Sequence, residues 1–286
     1  MHKRRMLDAV IKQRHAIALD LGNEVSMGQH DSNRILLVSG MFEPFSRALE
    51  SSEVAARFTP VYLGGIEYAD ITRGYVYIDN DVCVSIVAII GQYLRALQDA
   101  DHLPEAVLAA ELCRECRSIN LVNLMRLTLD HAGFDSVEIV QLTDAELHMA
   151  CEAPVAADSL PDYGKTRIGL FGPTPVLLTP TFTNAVTERL QHNGLEVVLP
   201  PLAHLIGQRD VFEPAIDYFI DAGLSYAIGV IPFGCMSGHA YARGRLRTLQ
   251  TRHPDMQITL IDYDPSASDI NTINRTELVI QSILDY

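Results

Sequence analysis

The feature that most constrains this chain is an alternation that occurs twice. Short apolar runs and helical stripes follow one another on both sides of a break over residues 143–163. Before the break, the runs at residues 34–40, 60–63, 106–112 and 137–140 are compact and aliphatic, as strands buried on both faces are. Residues 44–58, 84–97 and 121–129 read as helices between them. In the second of these, Ile86, Ile90, Tyr93, Leu94 and Leu97 form one stripe. After the break, strand-like runs at 167–172, 196–199, 226–231 and 258–262 alternate with helical segments at 184–191, 211–222, 240–251 and 275–284. Such alternation builds parallel sheets covered by helices. The expected fold is therefore α/β, with two doubly wound Rossmann-like domains and parallel sheets. The expected division is a helix and loop over 1–33, a first domain over 34–145, a linker over 146–164 and a second domain over 165–286.

Length and composition agree with two ordinary domains: 286 residues, 48% hydrophobic and 20% charged, which excludes wholesale disorder. The formal net charge of −14 repels phosphate backbones and anionic lipid. The only basic run is Lys3-Arg4-Arg5, so no nucleic-acid partner is expected. The most apolar windows, residues 82–90 and 226–235, fall short of the roughly 18 residues a membrane span needs, and no membrane partner is expected. The stretch Leu7–Arg14 is too polar for the core of a secretory signal, so a cytoplasmic location is expected.

Five cysteines, Cys83, Cys113, Cys116, Cys151 and Cys235, are an odd, scattered set. That usage argues against a disulfide framework and leaves burial, metal ligation or nucleophilic catalysis open. Cys83, Cys116 and Cys235 share one context: each falls after or near an expected strand and just before an expected helix. In open α/β sheets, ligands bind beyond the carboxyl ends of the strands. A helix N-terminus also favours thiolate, the form that binds iron or zinc. Two of the three belong to the first domain and one to the second, which suits a site in the cleft between them. Buried packing is the competing explanation for any single cysteine. Cys113-Arg114-Glu115-Cys116 has zinc-knuckle spacing, but no second pair completes a structural zinc site. Cys151 has no strand before it and reads as structural, and Cys113 lies at a strand end, not at a helix start.

Other motifs carry less. Gly164-Lys165-Thr166 is similar to the end of a P-loop, but Ser159 stands where its first glycine belongs and a strand follows it, so this chain is not expected to hydrolyse ATP. His239 reads as a helix-start or surface residue, and Asp262 and Asp264 as loop caps.

Together these residues resemble the 2-hydroxyacyl-CoA dehydratase superfamily, in its activase-related branch. Pro232-Phe233-Gly234-Cys235-Met236-Ser237-Gly238, followed by Ile261-Asp262-Tyr263-Asp264-Pro265-Ser266, resembles the C-terminal signature. Asn80-Asp81-Val82-Cys83 is similar to the family's Asn-Asp-x-Cys turn, and Cys116-Arg117-Ser118-Ile119-Asn120 to its Cys-Arg-Ala-Ser-Asn turn. Thr179-Pro180-Thr181-Phe182-Thr183-Asn184 is a looser match to a helix start of the same branch. The resemblance implies a 4Fe-4S cluster between the domains, held by Cys83, Cys116 and Cys235, with one iron left for another ligand. It also implies ATP-driven low-potential electron transfer or reduction, with the electron supplied by a separate ATP-hydrolysing activase or another redox subunit. An acyl-CoA or other small-molecule substrate and a dimer are expected with it. The alternative from a different class is a cluster-free or zinc-bound scaffold that binds an acyl-CoA or a partner subunit.

Overall fold

The computed structural model describes residues 34–79, 81–110, 112, 120–143, 145–147, 166–206, 212–264 and 269–284. The expected helix and loop over 1–33 and most of the expected linker lie outside these. The first sheet holds β1 (Ile35–Val38), β2 (Thr59–Tyr62), β3 (Ala106–Ala110) and β4 (Glu138–Leu142), ordered β2-β1-β3-β4. The second holds β5 (Arg167–Phe171), β6 (Glu196–Val198), β7 (Tyr226–Pro232) and β8 (Gln257–Tyr263), ordered β6-β5-β7-β8. Every pairing is parallel. The fold is thus α/β with two Rossmann-like halves, and the strand order reverses at β1/β3 in one and β5/β7 in the other.

Between β1 and β2, a 3-10 turn (Gly40–Phe45) leads into α1 (Ser46–Ser51) and α2 (Glu53–Arg57). The sequence predicts one helix over 44–58, and Ser52 divides it. Its backbone is extended, its hydroxyl donates to the Leu49 carbonyl at 2.8 Å, and its Oγ accepts from Val54 N at 3.2 Å. A serine that bonds its own backbone in this way ends one helix and caps the next.

Two helices, not one, connect β2 to β3: α3 (Tyr68–Gly74) and α4 (Val84–Asp99). The pattern of apolar residues does not reveal α3, because its buried positions include Asp70 and Gly74. Asp70 is fully buried and paired with Arg95, Nε to Oδ1 at 2.5 Å and Nη2 to Oδ2 at 3.1 Å. Its carboxylate also accepts from Glu67 N at 2.8 Å, closing a capping box. Gly91 of α4 lies directly beneath: a Cβ there would stand 1.8 Å from the Asp70 carbonyl oxygen, so only glycine allows this backbone contact.

Further along α4, Gln92 ties the strand-end loops together. Its Oε1 accepts from Ser39 Oγ at 2.6 Å and Gly40 N at 3.1 Å, and its Nε2 donates to the Gly64 and Gly65 carbonyls. The neighbouring Tyr93 hydroxyl accepts from Ser39 N and donates to Leu108 O at 2.6 Å, which links β1 to β3 through α4.

α5 (Leu121–His131) joins β3 to β4. The second half adds α6 (Thr174–Leu177), α7 (Pro180–His192), α8 (Phe212–Asp221), α9 (Met236–Gly238), α10 (Gly244–Arg252) and α11 (Ile270–Leu284). A π turn, His239–Arg243, runs between α9 and α10. One apolar cluster passes through both halves, joining Leu36, Val107 and Val87 to Leu170, Ile228 and Ile261. A second covers the other face of the second sheet, with Phe171, Phe212, Phe219 and Ile231. β7 alternates between them: Ile228 and Val230 face the first, Ala227 and Ile231 the second. Among the described residues no helix is long and apolar enough to cross a membrane.

Candidate functional site

The carboxyl ends of four strands, two from each half, meet at one small apolar pocket. Met41 follows β1, Ala110 ends β3, Pro173 follows β5 and Cys235 follows β7, and all four line it. These strands flank the two points at which the sheet orders reverse, the positions where doubly wound sheets bind ligands. The pocket has about 20 Å³ of free room, enough for a single water.

Cys83 and Cys235 both line this pocket, one from each half, and both are buried. Cys83 is the residue before α4, and its carbonyl accepts from Ile86 N and Val87 N at 3.0 and 3.2 Å. It follows α3 and a turn, so the expectation that it lies beside a strand end is corrected: α3 intervenes between β2 and the cysteine. Its place at a helix start is as expected. Cys235 directly follows β7 and caps α9, its Sγ accepting from Gly238 N at 3.3 Å. A Cβ on Gly238 would sit 2.9 Å from that sulfur, so glycine lets the amide approach it. Each sulfur is therefore presented at the start of a helical segment.

Cys116, Cys113 and Cys151 lie outside the described residues. Leu112 and Leu121, on either side of the Cys116 segment, both line the pocket. Among the described residues no three Cys, His, Asp or Glu side chains gather as a metal site.

Burial raises the Tyr75 pKa, and the charges of Cys83 in the first half and Asp264 in the second raise it further, so Tyr75 remains a neutral phenol. Phe233 and Met236, on either side of Cys235, are exposed at 66% and 60%. Of the lesser candidates, His239 opens the π turn, half-buried. Asp262 is ion-paired with Arg243 and with Arg275 at 3.5 Å, so its role is to tie β8 to the helices beside it.

The residue that sequence reading missed is Ser85, on the first turn of α4. It is 1% exposed, lines the pocket, and its Oγ has no hydrogen-bond partner. The signal was its spacing, two residues after Cys83, inside an otherwise apolar helix start. No protein-family model and no curated protein matches this chain.

Proposed function

We propose that this chain is an iron–sulfur protein of the 2-hydroxyacyl-CoA dehydratase type, acting in low-potential electron transfer or reduction with a separate ATP-hydrolysing activase. The reading carries Cys83, Cys116 and Cys235 as the ligands of a 4Fe-4S cluster. The observation that carries it is the convergence of two buried cysteines, one from each half, on the pocket where both strand orders reverse. The resemblance of the segments around all three cysteines to that family adds to it.

The donor chemistry fits. A helix start at each sulfur and a backbone N–H on one of them favour thiolate, while burial among apolar walls acts the other way. When bound, the group would supply one-electron chemistry at low potential. The chain's own residues hold the sulfurs: α4 sets Cys83, anchored by Gln92 and the Asp70–Arg95 pair, and the β7–α9 turn sets Cys235. Aliphatic and proline side chains exclude water, and the neutral Tyr75 adds no charge beside Cys83.

The size of the pocket favours a second reading. With about 20 Å³ of room, the side chains as packed accept one ion without moving, as a thiolate-bound zinc in a scaffold for an acyl-CoA or a partner subunit would require. Anaerobic purification and reconstitution with iron and sulfide, followed by metal and acid-labile sulfide analysis, separates the two. The cluster reading expects iron and sulfide in equal amounts, lost in Cys83→Ala, Cys116→Ala and Cys235→Ala and kept in Cys151→Ala. Zinc alone, or no metal, overturns it in favour of the scaffold. If Cys113→Ala abolishes binding while Cys116→Ala spares it, the ligand assignment falls.

A further inference from the structure

A second and much larger opening lies between the halves and shares no lining residue with the cysteine pocket. It has about 850 Å³ of free room, within the roughly 300–1,000 Å³ of small-molecule sites, which favour such interfaces. Ile66, Glu67 and Tyr68 line it from the N-terminal end of α3, and α7 and α11 line it from the second half. Two contacts join the halves at this cleft. Thr181 Oγ1 donates to the Ile66 carbonyl, and the Tyr68 hydroxyl donates to Asp269 Oδ1 at 3.4 Å, a long bond.

Four carboxylates, Glu67, Glu188, Asp269 and Glu277, line the cleft against one guanidinium, Arg189, and one imidazole, His192. Arg189 is already ion-paired with Glu277. The Glu188 carboxylate bonds nothing among the described residues. His192 Nδ1 lies 2.8 Å from the Glu188 carbonyl and so donates, which leaves Nε2 of the uncharged ring as an acceptor. Such a lining attracts cations and repels phosphates and carboxylates. The acids do not close on one point, since among the described residues no three of them gather as a metal site. Spread around a cleft that also has Ile66 and Ile273 in its walls, they suit an extended cation with methylene segments.

Tyr263, the last residue of β8, stands behind this wall. It is 1% exposed, and its hydroxyl has no hydrogen-bond partner. Burial raises its pKa, and the nearby Tyr68 hydroxyl and Asp269 carboxylate raise it further, so it keeps its proton. Tyr68 is close to it but turned to Asp269. A buried hydroxyl left unpaired is costly. We propose that the cleft binds an organic polyammonium ion, the chemistry of a linear di- or triamine, with ammonium groups on Glu188 and Asp269. The ammonium on Asp269 displaces the Tyr68 hydroxyl, which turns to Tyr263, so binding supplies the partner that the buried phenol lacks. None of this depends on what Cys83 and Cys235 hold.

The test is calorimetric titration of the full chain with spermidine at about 0.15 M salt, with inorganic phosphate and glucose as controls. One spermidine per chain should bind saturably and raise the melting temperature, and neither control should do so. Glu188→Gln and Asp269→Asn should each weaken binding about tenfold. Glu50→Gln, which removes an exposed carboxylate outside the cleft, should leave it unchanged. Tyr263→Phe should weaken binding about threefold, yet melt no lower than wild type without spermidine, because it removes a buried hydroxyl that has no partner. Equal weakening in Glu50→Gln and Glu188→Gln would mean diffuse attraction to a chain of net charge −14 and overturns the proposal. Absence of saturable binding overturns it as well, and so does uptake of phosphate or glucose that Glu188→Gln alters. Unchanged affinity in Tyr263→Phe overturns it too, because the exchange of the Tyr68 hydroxyl then plays no part.

Discussion

The two halves share a strand order and differ in what holds it. In the first, contacts run from backbone to backbone and through polar clamps: Gly91 against the Asp70 carbonyl, Asp70 on Arg95, Gln92 across two loops. In the second, aromatic rings lie on the sheet. Gly229 of β7 faces the Phe171 ring and Leu260, which a Cβ would meet at 2.7 and 2.6 Å, and Phe171 packs edge-on against Phe212 at 5.9 Å between centroids. The cysteines follow topology and not this packing chemistry. Cysteine follows the third strand of each half, Cys113 and Cys116 after β3 and Cys235 after β7. Cys83 is the addition, on the one helix that the polar clamps of the first half fix in place.

The sharpest way to break this contrast is a methyl group on each side. Gly91→Ala drives carbon into a carbonyl that cannot yield, and should cost about 4 kcal/mol or more in chemical denaturation. Gly229→Ala meets only side chains that can shift, and should cost roughly 1–3 kcal/mol. Similar losses at both sites would erase the distinction. Arg95→Met strands the fully buried Asp70 carboxylate and should cost about 3–5 kcal/mol, with Asp70→Asn added to it recovering part of the loss. Recovery absent from the double variant would mean that the charge is not the cause. Gln92→Leu leaves Ser39 Oγ, Gly40 N and two carbonyls without their partner, and about 3 kcal/mol should follow. Amide exchange in the Ser39–Gly40 and Gly64–Gly65 loops should quicken well before the rest of the first half.

The smallest effect concerns the edge of the first sheet. Burial acts to raise the Glu138 pKa, but hydrogen bonds from Arg57 and Arg34, at 2.6 and 2.9 Å, outweigh it and hold the carboxylate below its ordinary range. Because the folded-state value is depressed, the contribution is present at neutral pH and is lost as pH falls through that lowered value. Glu138→Gln should cost less than about 1 kcal/mol at pH 7, since both arginines are half-exposed. The difference from wild type should vanish in acid. A loss that persists at low pH would point to packing of Arg34 and Arg57 on the Phe58 ring instead.

All eight strands were legible in the sequence because each contains an apolar run, nearly unbroken in the central strands β1, β3, β5 and β7 and mixed with polar residues at the edges. Boundaries blurred where polar residues did structural work. Ser52 cut a helix that the apolar spacing joined, and α3 escaped notice because its inward positions include an aspartate and a glycine. α7 begins four residues before Asn184, at Pro180, since proline suits a first helical position whatever the hydrophobic pattern says. The shared context of Cys83 and Cys235 was visible as helix starts. Their meeting at one pocket was not, because it depends on how two sheets face each other, which no local pattern encodes. Ser85 was hidden for a simpler reason: one serine in an apolar helix looks like a tolerated exception until its burial and its unused hydroxyl are seen together.

The π turn between α9 and α10 takes up one residue more than an α turn would, which offsets whatever follows by about 100° around the axis. Arg243, at its end, reaches Asp262, and Leu249 beyond it is buried on the second sheet. The turn works as a vernier on a shaft. The cysteine at one end of the helical stretch and the hydrophobic seat at the other are thereby set at a different angle from the one an unbroken α-helix would give them.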